Sequence, residues 1–267
     1  MKSTLSNRVA VVSGGSSGIG RAVAILLAQQ GAQVYIGDLR LRPENGQRFE
    51  QLNIVEQACD VRNDVDVQRW IENVLDQAGG IDILVNNAGI VMVKQIPDAT
   101  EAEWDACLDT NLKSAFLVSK RVIPSMQKRG GGVIVNIASN AGILPRAHDP
   151  IYSTSKGALM AFTRSLALSH STDRIRVNAV CPGPVAETEI IQQTMALAAD
   201  QKKAAIQLIQ ASPLARALGR MISPEEVAQA VLYLVSDAAV MVTGTAIAID
   251  GGKSLGVPPN DYALGLT

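Results

Sequence analysis

Short apolar runs alternate with longer amphipathic stretches along almost the whole chain. Residues 8–13 (RVAVVS) are apolar nearly throughout and read as a buried strand. In residues 18–30 the apolar side chains of Ile19, Val23, Leu26 and Leu27 recur at helical spacing, and Gly31 stops the helix. The alternation then repeats: a strand over 33–38, a weaker strand over 53–60, a helix over 64–78 ended by Gly79 and Gly80, and a strand over 81–86. Residues 101–128 form one long helical stretch, which Pro124 is expected to break or kink late. A strand over 132–138, a helix over 152–169 and a strand over 174–181 follow. Residues 182–222 open on Pro-Gly-Pro and turn polar and rich in Gln and Ala, which reads as an excursion from the sheet. Ser223, Pro224 and Glu226 then occupy the N-cap, N1 and N3 positions of a capping box. A last strand covers 246–250, and the tail from Leu255 is expected on the surface or on a neighbouring subunit.

Strands that are apolar on both faces and separated by helices predict an α/β protein with a parallel sheet covered on both sides. Right-handed crossovers make that sheet doubly wound, with about seven strands. With no linker and no fixed-period repeat, residues 1–267 read as a single domain.

Composition narrows the function. A formal net charge of -1 without a basic block argues against binding nucleic acid, and 3% aromatic residues argues against base-stacking platforms. Cys59, Cys107 and Cys181 are odd in number and widely spaced, so they predict neither a zinc site nor a disulfide framework but small buried side chains. Only His148 and His170 are present, and no metal site is expected. Without a signal-like or spanning apolar run, the expectation is a cytoplasmic protein that does not enter a membrane.

The candidate chemistry lies at strand ends. The first strand runs into SGGSSGIG, where Gly14, Gly18 and Gly20 let the backbone approach a pyrophosphate at a helix N-terminus. Asp38 ends the second strand, where a carboxylate accepts the adenosine ribose hydroxyls and repels a 2′-phosphate, predicting NAD rather than NADP. Ser16 and Ser17 bring no positive charge to the phosphate, although Arg40 and Arg42 lie near. Asp60 and Val61 follow the third strand, in place for an adenine ring or a solvated turn, and Asn87 and Gly89 follow the fourth. Tyr152 and Lys156 lie four apart on one helical face, an arrangement in which an ammonium lowers a phenol pKa and prepares it for proton exchange. Alone, the pair also fits a surface tyrosine beside a lysine. Ser139 follows the fifth strand and could hold a substrate oxygen or simply cap a turn. Asn111 interrupts a helical run and needs partners; a water in a proton relay is one.

In order and spacing, SGGSSGIG, IDILVNNAG, TNLKSAF, VNIAS, YSTSK, VNAVCPG and AIAIDGG resemble the short-chain dehydrogenase/reductase superfamily over nearly the whole chain. The resemblance implies a Rossmann-like fold and an NAD(H)-dependent oxidoreductase acting on a secondary alcohol or ketone, with Tyr152 as the acid/base. It implies a catalytic tetrad of Asn111, Ser139, Tyr152 and Lys156, Lys156 also holding the nicotinamide ribose. It implies a cofactor groove lined by Gly14, Ser17, Gly18, Ile19, Gly20, Asp38, Asp60, Val61, Asn87 and Gly89, with Pro182, Gly183 and Val185 beside the nicotinamide. It also implies a homotetramer packed through the two long helices. One departure stands out: in PGPVAET, Glu187 takes the place of a carboxamide-binding threonine and Thr188 comes one later. Either the loop shifts to use Thr188 or that contact is lost. Val91, Met92, Ile143, Leu144, Pro184 and the segment 187–208 are substrate-pocket candidates. Arg146 and His148 are candidates too: facing the pocket they would favour an anionic or polyhydroxylated substrate, but the favoured expectation is that they face solvent or a subunit contact, as loop charges usually do. A non-catalytic NAD(H)-binding sensor or scaffold, and an enoyl reductase on the same fold, are the competing readings. The first is opposed by the presence of both Tyr152 and Lys156, the second by their four-residue spacing.

Overall fold

A computed structural model describes residues 4–144, 146–196 and 198–255. Seven strands form one parallel sheet in the order β3-β2-β1-β4-β5-β6-β7. They are β1 (Val9–Ser13), β2 (Gln33–Asp38), β3 (Ile54–Ala58), β4 (Ile83–Asn86), β5 (Gly132–Ile137), β6 (Ile175–Pro182) and β7 (Ala246–Ile249). Each expected strand is present, with ends displaced by a residue or two. The tail beyond Leu255 lies outside the described residues.

Every side chain of β1 is buried because the sheet is covered on both faces. Ala10 and Val12 pack on one side with Val23 and Leu27 of α1 (Gly18–Gln29) and Val227 and Val231 of α10 (Pro224–Val235). Val9 and Val11 pack on the other with Trp70 of α3 (Asp64–Ala78) and Val118 and Val122 of α5 (Ser114–Lys128). Gly37 makes room for this second layer, since a Cβ there would lie 2.6 Å from the Trp70 indole.

Four local differences from the sequence expectation have physical causes. A short helix, α2 (Gly46–Gln51), fills the connection before β3; at six residues it carries no readable period. The stretch 101–128 divides into α4 (Glu101–Leu108), a π-turn over Asp109–Lys113 and α5. α5 continues through Pro124 to Lys128, so the proline does not break it. α6 (Pro150–Ser169) starts two residues before Tyr152, with Pro150 in the first turn where its missing N–H costs nothing. The excursion after β6 carries α7 (Glu189–Ala196), α8 (Gln201–Gln210) and α9 (Pro213–Leu218). Its end is marked by the expected capping box, with both Ser223–Glu226 bonds formed.

Sheet order reverses between β1 and β4: the chain builds outward from β1 through β2 to β3, then crosses back to begin the other half. A crevice opens beyond the carboxyl ends of the strands at such a point.

Candidate active site

The crevice is a cleft of about 540 Å³. Gly14, Ser17, Gly18 and Ile19 form one wall. Gly14 has φ +64°, and a Cβ on it would lie 2.9 Å from the Ala88 Cα, so both conformation and space demand glycine. Asn87 braces this turn: its amide donates to the carbonyls of Ser13 (3.1 Å) and Gly14 (2.7 Å). Ser17 is the N-cap of α1 and its hydroxyl makes no cap bond, leaving the first-turn N–H groups toward the cleft. Gly20 does not line the cleft. A Cβ on it would come within 2.1 Å of the Gly14 carbonyl, so it acts from behind by letting helix and turn pack.

Asp38 lines the cleft at the end of β2. Its two oxygens accept from the backbone N–H groups of Ser16 and Arg40, each at 3.0 Å, which fixes the carboxylate. Arg42 is engaged elsewhere, in an ion pair with Glu189 at the start of α7. Asp60 and Val61 line the same end. The Asp60 carboxylate is gripped by Arg62 at 2.6 Å, and that contact holds its pKa below the usual carboxylate range.

At the other end Gly89, Ser139, Tyr152 and Lys156 converge with Pro182, Gly183 and Val185. Ser139, Tyr152 and Lys156 are all buried. The Ser139 hydroxyl caps the turn after β5 by accepting from the Ala141 N–H at 3.1 Å, and it also adjoins the Tyr152 hydroxyl. Lys156 donates to the Ile137 carbonyl at 3.0 Å. Its Nζ lies 5.9 Å from the Tyr152 ring centre, and the Arg146 guanidinium lies 5.4 Å from the same ring.

The electrostatics differ from the sequence expectation. Burial raises the Tyr152 phenol above its ordinary value, opposed first by the Ser139 hydroxyl and then by the Arg146 charge. Burial also brings Lys156 down to about 8, so its ammonium is itself costly in this pocket.

Asn111 lies outside the cleft lining, in the π-turn. Its side chain clamps Ile90: Oδ1 accepts from the Ile90 N–H at 2.8 Å, and Nδ2 donates to the Ile90 carbonyl at 2.9 Å and to Ser155 Oγ at 3.0 Å. Thr188 lines the cleft against Gly18, its hydroxyl donating to the Val185 carbonyl at 2.9 Å. Glu187, just before it, is a non-glycine residue at φ +60°.

Val91, Pro184, Ile190, Ile191 and Leu208 line the remaining space; Met92, Ile143 and Leu144 do not. Arg146 and His148 line it too, against the expectation that they face solvent. Arg146 is drawn inward by the buried Asp149, 3.3 Å away, and by the Tyr152 ring. Asp149 escaped the sequence reading, although its place just before the helix proline marked it as a cap position. A buried row of Asn86, Asn136 and Thr163 also went unread; Asn86 donates to Asn136 at 2.8 Å, and Asn136 to Thr163 at 2.9 Å. Its signal is an asparagine near the end of otherwise apolar strands (ILVN, VIVNI). Among the described residues no cluster could hold a metal ion, and no helix is long and apolar enough to cross a membrane.

Residues 14–254 match a family model described as enoyl-(acyl carrier protein) reductase. The chain is 36% identical to 2-(S)-hydroxypropyl-CoM dehydrogenase 3 of Xanthobacter autotrophicus, over 95% of this chain and 99% of that one. The fold superposes on ligand-free aldohexose dehydrogenase of Thermoplasma acidophilum with a TM-score of 0.88, 32% identity, and coverage of 97% and 99%. On L-sorbose reductase of Gluconobacter frateurii, solved with NADPH and L-sorbose, the TM-score is 0.87, with 33% identity and coverage of 95% and 98%. The likeness runs from the first glycine turn past the last strand, and the chain belongs to the short-chain dehydrogenase/reductase superfamily, whose members are nicotinamide-dependent oxidoreductases.

Proposed function

We propose that this protein moves a hydride between a nicotinamide dinucleotide, NAD(H) in preference to NADP(H), and a secondary alcohol or its ketone, with Tyr152 as the acid/base. The observation that carries the reading is that one cleft joins the Gly14–Gly18 turn to Ser139, Tyr152 and Lys156. The cleft fits such a cofactor, because a Cβ on Gly14 would close the turn and the α1 N-terminus offers unpaired N–H groups there. When bound, the nicotinamide would supply the hydride acceptor or donor.

The chain's own groups do the rest. Ser139 holds the substrate oxygen. Tyr152 takes the hydroxyl proton during oxidation and returns it during reduction. Lys156 orients the nicotinamide ribose and, when charged, favours the phenolate. Gly14, Ser17, Gly18 and Ile19 face the pyrophosphate; Asp60 and Val61 face the adenine; Asn87 and Gly89 floor the groove. Pro182, Gly183, Val185 and Thr188 wall the nicotinamide end. Gly20 and Asn111 act as positioning residues. The four-residue spacing of Tyr152 and Lys156 favours carbonyl over enoyl chemistry, despite the description of the matching family model. We read the whole chain as one catalytic domain, covered by the excursion at 182–222. The half-exposed Phe116 on α5 suits a homotetramer packed through α5 and α6.

Cofactor choice rests on Asp38. Its fixed carboxylate faces the ribose position, and the Arg42 charge is spent on Glu189. The L-sorbose reductase neighbour holds NADPH, so selectivity needs its own test. Fluorescence titration should give NADH a Kd at least about tenfold below that of NADPH, a difference near 1.4 kcal/mol. Asp38→Ala should weaken NADH and narrow the ratio. Tighter NADPH binding by the wild type would refute the role given to Asp38.

A further inference from the structure

We infer that Arg146 receives an anionic group of the substrate, a carboxylate or equivalent oxoanion, while Tyr152 engages the reacting hydroxyl. The substrate is therefore a secondary alcohol bearing a negative charge on a largely apolar body. This rests on the oxidoreductase reading and narrows it.

Charge placement within the cleft comes first. Three side chains with permanent or near-permanent positive charge line it among the described residues: Arg62, Lys156 and Arg146. Arg62 grips Asp60 at the adenosine end. Lys156 donates to the Ile137 carbonyl beside Tyr152. Arg146 stands at the same end with its bonds less filled, its guanidinium 5.4 Å from the Tyr152 ring centre.

Arg146 is also under-coordinated. A guanidinium carries five N–H donors. One terminal nitrogen meets Asp149 at 3.3 Å, longer than the roughly 2.7–2.9 Å of a close charge-assisted bond. Nε is buried and has no hydrogen-bond partner. The side chain is 37% exposed and lines the cleft. With a single long ion-pair contact the guanidinium keeps donors to offer, and a carboxylate is the ligand whose geometry its planar fork matches.

Asp149 does not cancel this charge. Lys253 is a second cation nearby: burial lowers its pKa first, the Arg146 charge lowers it further, and Asp149 opposes them. Asp250, the other acid near Lys253, has its oxygens taken by the Gly252 and Ser254 N–H groups at 2.9 and 2.8 Å. His148 adds a further imidazole to this wall. The cleft is also lined by Val91, Ile190, Ile191 and Leu208, with Glu189 and Thr194 beside them, so the body of the substrate meets mostly hydrocarbon.

The test compares charge at constant shape. Saturated carboxylates, from butyrate to octanoate and from cyclopropane- to cyclohexanecarboxylate, are titrated into the enzyme–NADH complex beside their primary amides, following NADH fluorescence and binding heat. At least one carboxylate should bind tenfold or more tightly than its amide. Arg146→Gln should abolish the preference and Arg146→Lys should keep part of it. If no carboxylate outbinds its amide in the wild type, or if Arg146→Gln keeps the preference, the assignment of Arg146 is overturned. Oxidation of secondary alcohols, both neutral and carboxylate-bearing, by the wild type is measured separately. Turnover there without any carboxylate preference overturns the anion site and leaves the oxidoreductase reading standing. A carboxylate preference without turnover of any alcohol does the reverse.

Discussion

At the scale of single residues, the site holds groups in states that water would not give them. Lys156 is the clearest case. Its pKa is about 8 in the fold against 10.5 for a free side chain. Between those values the unfolded chain binds more protons than the native one, so stability rises with pH across the window. The penalty for burying the ammonium is therefore full below about pH 8 and gone above about 10.5. Lys156→Met should stabilise the cofactor-free protein at pH 7 by about 1–3 kcal/mol while destroying activity, the gain shrinking toward pH 10.5. Urea unfolding at pH 7 and pH 10 measures this; a destabilised variant at pH 7 would contradict the assigned burial cost. The identities of these residues were legible from the sequence because each stands where a strand ends or a helix begins. Their electrostatics were not. The proximity of Lys156 to Tyr152 follows from an i, i+4 spacing, whereas the desolvation that outweighs it comes from the surrounding core. Arg146 follows the same logic: an exposed loop charge is the ordinary outcome, and Asp149 and the Tyr152 ring, both made available by folding, bring it to the cleft while it stays 37% exposed.

Among the elements, the π-turn over Asp109–Lys113 matters most to the site. It lies between α4 and α5 and presents Asn111 to Ile90, which satisfies both backbone groups of a residue that lines the cleft. π-turns inside helices are frequent at functional positions. Asn111→Leu strips the Ile90 N–H and carbonyl of their partners together, and should cost about 2–4 kcal/mol of stability. It should also weaken NADH binding by shifting the segment after β4. Denaturant unfolding and NADH titration of the same variant check both; unchanged stability would show that Ile90 needs no clamp. The long periodic elements were readable because the apolar stripe fixes both their type and their extent; α3 matches its expectation end to end. What could not be read were features without a period: the six-residue α2, the one-residue widening at Asn111, and the tolerance of α5 for Pro124. The left-handed turn at Glu187 belongs with them, because a non-glycine residue at positive φ leaves no composition signal.

For the molecule as a whole, the sheet is the device that gathers distant segments. Gly14, Asp38, Asp60, Asn87, Ser139 and Pro182 follow or end six successive strands and are spread over most of the chain, yet parallel pairing brings all of them to one edge. Continuous apolar strands made that architecture legible, since only a sheet covered on both faces buries such runs. Within the cleft, Asp38 and Asp60 stand at the ends of β2 and β3, and Tyr152, Lys156 and Arg146 gather with Ser139 beyond β5. The central claim is that this assembled edge performs proton-coupled hydride transfer through Tyr152. It is tested most directly by measuring NADH binding and turnover of secondary alcohols for wild type and Tyr152→Phe on matched samples. A turnover loss of about a hundredfold or more, as expected when a general acid/base is removed, with NADH affinity changed by less than about threefold, is the predicted result. Turnover unchanged by the loss of the Tyr152 hydroxyl would contradict it.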